Sequence, residues 1–494
     1  MKKQTISALL LLAMLASAVS SCGGSASSGG NNTPSDTTVP AETTDPTRDA
    51  NGFLLDEIPA GTNFGGKEVN ILIREAVANT EFFVDEQTGD IVDDALWKRN
   101  QTVEDRLGVK LNFIAQPGEW ADRKTFNGLI KQSVMAADGE YDLCAVLSNQ
   151  LSTLTLEGLL TNLNTLDYLD FDKPWWAAGL LDELAVDNKL YFASGDASLG
   201  LINGMMCVFY NKSICEDFNI PDLYEIVNNG EWTIDKVVEL TKNVYQDLDS
   251  DGAKSDADRF GLATGSYNQL YGFIDSFNLQ IVERDADGYP SKLVFNNEKV
   301  VSAVEKLVSL FKDNDAFITS TKVDYVTAFS EGRVLFCTGE FKDTSSYRDI
   351  DAFDYGVVPF PKWDEAQENY STTARATYSS FCIPLTTVDP NMSAAVLECF
   401  ASESYRTVSP AYFENALKVK YSRDDETAQM FDLIKSSVTF SFATSYTSTI
   451  GDPQGAFKNQ IAALTDSWMS WHDGWVTAAQ EKLDTTIATL KELQ

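Results

Sequence analysis

Four aspartates fall at positions one, three, five and twelve of a stretch that opens at Asp247 and closes at Asp258, with Gly252 at position six and Ser255 at position nine. A hard cation takes about six to eight oxygen ligands, and the loop that supplies them turns sharply at a glycine while alternate residues point inward. That is the spacing of an EF-hand calcium loop, and it assigns Asp247, Asp249, Asp251, Ala253, Ser255 and Asp258 as ligands. An aspartate stands where glutamate usually closes such a loop, which weakens bidentate closure. The residues that follow, Phe260-Gly261-Leu262-Ala263, read as a strand, so the loop is grafted on another fold. The expected role of calcium is structural, because saturated carboxylates leave little room for catalysis; a solvated acidic turn is the competing reading.

Little else points to bond-breaking. His472 is the only histidine, which removes His-based triads elsewhere in the chain and multi-His zinc sites. No GxSxG, P-loop, HExxH or CxxC motif is present. Glu340 follows an apolar run, Val334 to Thr338, in the phrase Gly339-Glu340-Phe341. A carboxylate there would face a cleft and accept two ligand hydrogen bonds. Glu340 with Asp196 could form a glycosidase pair, so a surface glycoside hydrolase stays open as an alternative. Trp175 and Trp176 are adjacent, Tyr267 and Tyr271 lie four apart, and Trp468, Trp471 and Trp475 follow at helical spacing. Flat rings beside Asp, Asn and Ser suit a sugar. Burial in a core is the competing reading for each tryptophan.

These groups sit in a chain of 494 residues, 44% of them hydrophobic, enough for two α/β lobes. Asp and Glu number 73 against 38 Lys and Arg, for a net charge of −35. Such a surface repels phosphate backbones, so nucleic acid is not a partner, while a cationic ligand such as a polyamine stays open. Lys2 and Lys3 precede an apolar stretch from Ile6 to Val19, which reads as a signal peptide over 1–21. Val19-Ser20-Ser21-Cys22 resembles a bacterial lipobox, which implies cleavage before Cys22, a lipid such as palmitate on that residue, and anchorage on the outer face of the cell membrane. Residues 22–55 are rich in Gly, Ser, Thr, Asn, Asp and Pro, the composition of a flexible tether. Six further cysteines are widely spaced in mostly apolar surroundings and are expected to be buried free thiols.

Lys67 to Ile73 alternates Val69, Ile71 and Ile73 as a strand does. Asp93 to Leu107 carries Leu96, Val103 and Leu107 on one helical face and stops at Gly108. Strand 109–114, helix 125–137 and strand 141–147 complete a parallel pattern. A second set follows: strand 205–210, a helix capped by Thr233, helix 297–313, and strands 332–338 and 355–359. Helices over 392–402 and 475–493 end the chain.

Several phrases together resemble a known family. They include Phe171-Asp-Lys-Pro-Trp-Trp176, Phe209-Tyr210-Asn211-Lys212, Gly230-Glu-Trp-Thr233, Ala328-Phe-Ser-Glu-Gly332 and Gly356-Val-Val-Pro-Phe-Pro361. Their order and spacing are similar to those of bacterial extracellular solute-binding proteins of family 1, receptors of ABC importers that include maltose and oligosaccharide binders. The resemblance implies a bilobed α/β receptor of the periplasmic-binding-protein type II class. Its lobes would be 60–200 plus 357–408 and 205–352 plus 412–494, with hinge crossings near 196–205, 355–359 and 404–412. It implies a monomer that delivers a solute, expected to be an oligosaccharide, to a membrane permease without chemistry; a peptide or polyamine receptor is the variant reading. By position it places Ser148, Asn149, Asp196, Asn203, Tyr267, Tyr271, Glu340, Phe341, Tyr378 and Ser379 at the cleft, with Trp175 and Trp176 at its rim or stapling a loop.

Overall fold

A computed structural model describes residues 45–493 apart from 253, 254, 256, 266, 267, 314, 320–324, 422 and 423. The expected signal peptide, Cys22 and the tether up to 44 lie outside the described residues, as do Tyr267 and Ala253. Thr47–Gln494 forms one compact unit.

Within that unit the strands divide into two main sheets. In the first, β1 (Lys67–Arg74) lies between β2 (Val109–Gln116) and β3 (Leu143–Leu147), parallel to both. The alternation of Val69, Ile71 and Ile73 that marks β1 is satisfied in packing, since all three are buried. All five residues of β3 are buried, as a continuous apolar run covered on both faces requires. Helix α1 (Ile91–Leu107) is the crossover from β1 to β2. Asp90 caps it, accepting from Val92 N at 2.9 Å, and Gly108 ends it at φ +58°. A Cβ at Gly108 would come within 2.5 Å of the Asn63 side chain, so the left-handed turn and this crowding together favour glycine at the stop. Helix α2 (Arg123–Ala136) returns the chain to β3.

The second sheet takes β4 (Met206–Asn211), β5 (Phe260–Gly265), β6 (Ala316–Thr319), β7 (Val334–Glu340) and β8 (Tyr355–Val358) in the order β8-β4-β7-β5-β6. β8 and β7 both run antiparallel to β4, while β5 is parallel to β7 and β6. Thr233 caps α3 (Ile234–Thr241), accepting from Lys236 N at 3.2 Å, and α4 (Glu298–Asp313) buries the apolar stripe of Val300, Val304, Leu307, Val308 and Phe311. The return strand β9 (Ser379–Cys382) pairs antiparallel with β3 and so belongs to the first sheet.

The crossing back therefore lies between β8 and β9. Val357 and Val358, expected at the start of the first-lobe return, instead face Phe209 and Val208 across the β8–β4 ladder. The two connections run side by side: Arg375 N donates to Gly204 O at 2.8 Å, and Met205 bridges Ala374. Helix α5 (Pro390–Glu403) follows β9 and is buried from Met392 to Glu403. The long α6 (Trp468–Glu492) begins seven residues earlier than its sequence pattern suggests and touches both halves. Gln480 Oε1 accepts from Leu293 N at 2.9 Å, while Lys189 Nζ donates to Lys491 O at 2.8 Å. No helix among the described residues is long and apolar enough to cross a membrane.

Candidate functional site

A cavity of about 860 Å³ opens between the two sheets. Five parts of the chain converge on it. The loop after β2 and the first turns of α2 bring Trp120, Arg123, Lys124 and Asn127. The segment after β3 brings Asn149, Gln150 and Thr153; the segment after β5 brings Asn268 and Tyr271. The crossing between β8 and β9 supplies 373–377, and a C-terminal wall supplies Thr444, Thr447, Ser448, Asp452, Gln454 and Lys458. Loops at strand carboxyl ends gather here because parallel crossovers leave those ends open toward the crevice.

Local bonding fixes the wall residues. Asn149 leaves β3 where Ser148 N and Asn149 N donate to Tyr378 O and Ala376 O at 3.0 and 3.3 Å. Tyr271 ends a helical turn and is half-buried; burial, then the nearby Asp452 charge, pushes its phenol up to about 12. Arg375 is oriented from two sides. Its Nη1 lies 3.7 Å from Glu340 Oε2, and Asn268, with its amide oxygen turned inward, accepts from Arg375 Nε at 3.1 Å. Trp120 is 55% exposed at the mouth, with the Arg123 guanidinium 3.9 Å from one ring face. Hydroxyls, amides and two aromatic faces around a crevice of this size suit a ligand carrying many hydroxyls.

Of the residues expected at the cleft, Asn149 and Tyr271 line this cavity. Glu340 is not on its wall. It is buried behind Arg375, ion-paired to Lys342 at 2.8 Å. Phe341 is fully buried, edge-on to Phe431 at 5.0 Å, because the chain turns inward at the end of β7. Asp196 also lies off the wall, and burial pushes its carboxyl up to about 6 against the pull of Ser409 and Lys435. The carboxylates of the imagined glycosidase pair are thus both withdrawn from the cavity. Asn203 ends the short helix Leu199–Asn203, off the wall. Ser148 and Tyr378 are buried beneath it, and burial pushes the Tyr378 phenol up to about 12. Ser379 serves a buried network, donating to Glu81 Oε2 at 2.9 Å and accepting from Arg74 Nη2 at 3.1 Å.

Trp175 and Trp176 are core residues that staple a loop. Both indole N–H groups donate to the Glu398 carboxylate at 3.1 Å, and Trp175 O accepts from Asp196 N at 2.8 Å. A Cβ at Gly195 would stand 2.1 Å from Trp175 O, so glycine permits this close approach. Trp468, Trp471 and Trp475 stack along α6, with Trp475 Nε1 donating to Gly451 O at 2.7 Å, and none lines the cavity.

Sequence reasoning missed Trp120, Arg123, Arg375 and the C-terminal wall. The detectable signal was a lone Trp in a polar loop directly after a strand, at Pro117-Gly118-Glu119-Trp120.

The aspartate loop closes at its base through paired backbone bonds between Gln246 and Arg259, at 3.2 and 2.9 Å. Carboxylate oxygens of Asp247, Asp249 and Asp258 lie within 4.8 Å of one another, a separation that fits oxygens about 2.4 Å from a shared calcium ion. Asp258 is buried and also accepts from Leu248 N, Ser255 N and Tyr245 Oη. The helix before the loop ends at Thr241, short of the entering helix of an EF-hand. The six described cysteines are buried and free.

Residues 129–405 match the family described as bacterial extracellular solute-binding protein. Solved structures with the same fold include the extracellular solute-binding protein from Staphylococcus aureus in complex with maltose, at 13% identity and TM-score 0.55, covering 86% of this chain and 97% of that one. A cyclo/maltodextrin-binding protein complexed with maltotetraose gives 12% identity and TM-score 0.54, covering 86% and 97%. The galacto-N-biose-/lacto-N-biose I-binding protein of Bifidobacterium longum gives 13% and 0.53, covering 87% and 98%. No curated protein matches the chain in sequence at a significant level. The likeness in structure establishes the bilobed fold.

Proposed function

The chain belongs to the bacterial extracellular solute-binding proteins, which act outside the cytoplasm, and from that premise we propose that it captures an oligosaccharide in the cavity between its sheets and hands it intact to an ABC permease. The observation that carries this reading is the cavity itself: about 860 Å³, with hydroxyl and amide side chains from both halves and the faces of Trp120 and Tyr271. A sugar presents an apolar C–H face to a ring and hydroxyls to amides, and this wall offers both. The maltose, maltotetraose and lacto-N-biose complexes of its structural relatives support the same class. Gripping a ligand from both halves favours the closed state by the difference in its affinity for closed and open forms.

The protein acts as a monomer, tethered by lipid at Cys22, with lobes following the two sheets. The aspartate loop holds a structural calcium ion. The test is calorimetry with a panel of oligosaccharides, peptides and polyamines on the wild type and on Trp120→Ala and Tyr271→Ala. Tight binding of a sugar, weakened in both variants, with the sugar recovered unshortened, supports the reading. Binding confined to peptides or polyamines refutes it.

A further inference from the structure

We propose that the ligand is an acidic oligosaccharide, one bearing carboxylate or sulfate groups; this rests on the reading of the cavity as a sugar site and names the class of sugar. The chain carries 73 acidic residues against 38 basic ones. Its cavity inverts that balance. Among the described residues, Arg123, Lys124, Lys131, Arg375 and Lys458 line it, against the carboxylates of Glu157 and Asp452.

Three of the five cations are answered by protein anions. Lys131 pairs with Glu157 at 2.9 Å, Arg375 lies 3.7 Å from Glu340, and Lys458 feels the Asp452 charge. Arg123 and Lys124 are not. Neither has a carboxylate within ion-pair distance among the described residues; Arg123 donates to the Trp120 carbonyl and lies over its ring. So the two cations without a protein counter-charge are neighbours in the first turn of α2, both on the cavity wall, and Arg123 lies over the most exposed aromatic ring of the mouth.

Closure over a neutral sugar would strip water from these two charges and give them no counter-ion, which is costly. An anionic substituent next to a sugar stacked on Trp120 would supply the missing charge through short, charge-assisted bonds. The local positive field also has a kinetic use. An anion approaching a body of charge −35 is repelled on average, and a basic, low-dielectric crevice focuses it onto the site. A polyamine meets the opposite field and is rejected.

The experiment is isothermal titration of the mature chain with tetragalacturonate, its methyl ester, a sulfated tetrasaccharide and tetraglutamate, repeated on Arg123→Gln/Lys124→Gln. The expected result is at least roughly tenfold tighter binding of one acidic sugar than of the ester, weakening as salt rises. The double variant should shrink that acid-to-ester ratio roughly tenfold or more while its ligand-free melting temperature holds. Preference for the uronate assigns carboxylate, and preference for the sulfated chain assigns sulfate. Equal binding of ester and acids overturns the inference and leaves the sugar reading standing. An unchanged ratio in the double variant overturns the assignment to Arg123 and Lys124. Binding of tetraglutamate with no sugar binding overturns both readings.

Discussion

Asp56→Asn is a sharp test of how the body of the protein begins. Asp56 is buried, and its carboxylate is gripped by both terminal nitrogens of Arg106, by Ser402 Oγ at 2.6 Å and by Arg406 Nη2 at 3.6 Å. It thus ties α1 to α5 near the start of the compact unit. Removing one partner of a buried ion pair costs about 3–5 kcal/mol. Arg106 is 31% exposed, so solvent screens its share, and Arg406 keeps Glu403 at 2.6 Å. The low end, about 3 kcal/mol, therefore applies. A unit of about 450 residues unfolds with an entropy near 1 kcal/mol per kelvin, so the melting temperature should fall by about 3 °C at pH 7. The pH dependence is a second signature. Burial pushes the Asp56 carboxyl up, but its hydrogen bonds from Arg106 and Ser402 and the two guanidinium charges outweigh that and hold it below the ordinary carboxylate value. A depressed pKa stabilises the fold above the ordinary value of about 4 and loses that stabilisation as pH falls through the folded value. Calorimetric scans of both proteins should show a gap that is constant from pH 8 to pH 5 and narrows below pH 4. A gap under about 1 °C at pH 7, or one that fails to narrow in acid, refutes the reasoning.

Burial lifts Asp196, Asp275 and Asp343 to about 6 each, above their unfolded value, so their stabilisation is full below that unfolded value and lost as pH rises through about 6. The ligand-free protein should melt higher at pH 5 than at pH 7.5, and Asp275→Asn, which keeps an acceptor for Thr373, should flatten the profile; a flat wild-type profile contradicts this. Chelation with EDTA should lower the melting temperature, and Asp249→Ala should abolish that sensitivity; equal melts with and without chelator, and no calcium uptake in calorimetry, count against the ion. Trp175→Phe deletes one donor to the buried Glu398 carboxylate and should destabilise by about 1–3 kcal/mol in denaturant titration without changing solute affinity, since the ring lies off the cavity wall.

How far the sequence carries depends on whether a signal is local. β1 and α1 were legible because the alternation, the apolar helix face and the Gly108 stop are local to the element they define, whereas the Asp90 cap, which starts α1 at Ile91 rather than Asp93, went unread. β9 was not, since Ser379-Ser-Phe-Cys382 is short, half polar and recognisable only by its pairing with β3. The tryptophan pair suits a rim and a core equally, and what decides it is Glu398, 222 residues beyond Trp176. Asn149 and Tyr271 could be placed because the family resemblance puts the cleft at the segments that follow these two apolar strands. The basic lining could not: Arg123, Lys124 and Lys131 look like the solvated face of an amphipathic helix until the C-terminal segment closes opposite them. That segment bridges both halves through Gln480 and Lys189, contacts that leave no local pattern.

The most direct test of the central claim is small-angle X-ray scattering across a titration with the oligosaccharide that binds. Two halves that close on a guest predict a radius of gyration that falls to a plateau at saturation and recovers when the sugar is washed out unaltered. An unchanged radius at full occupancy would contradict the account.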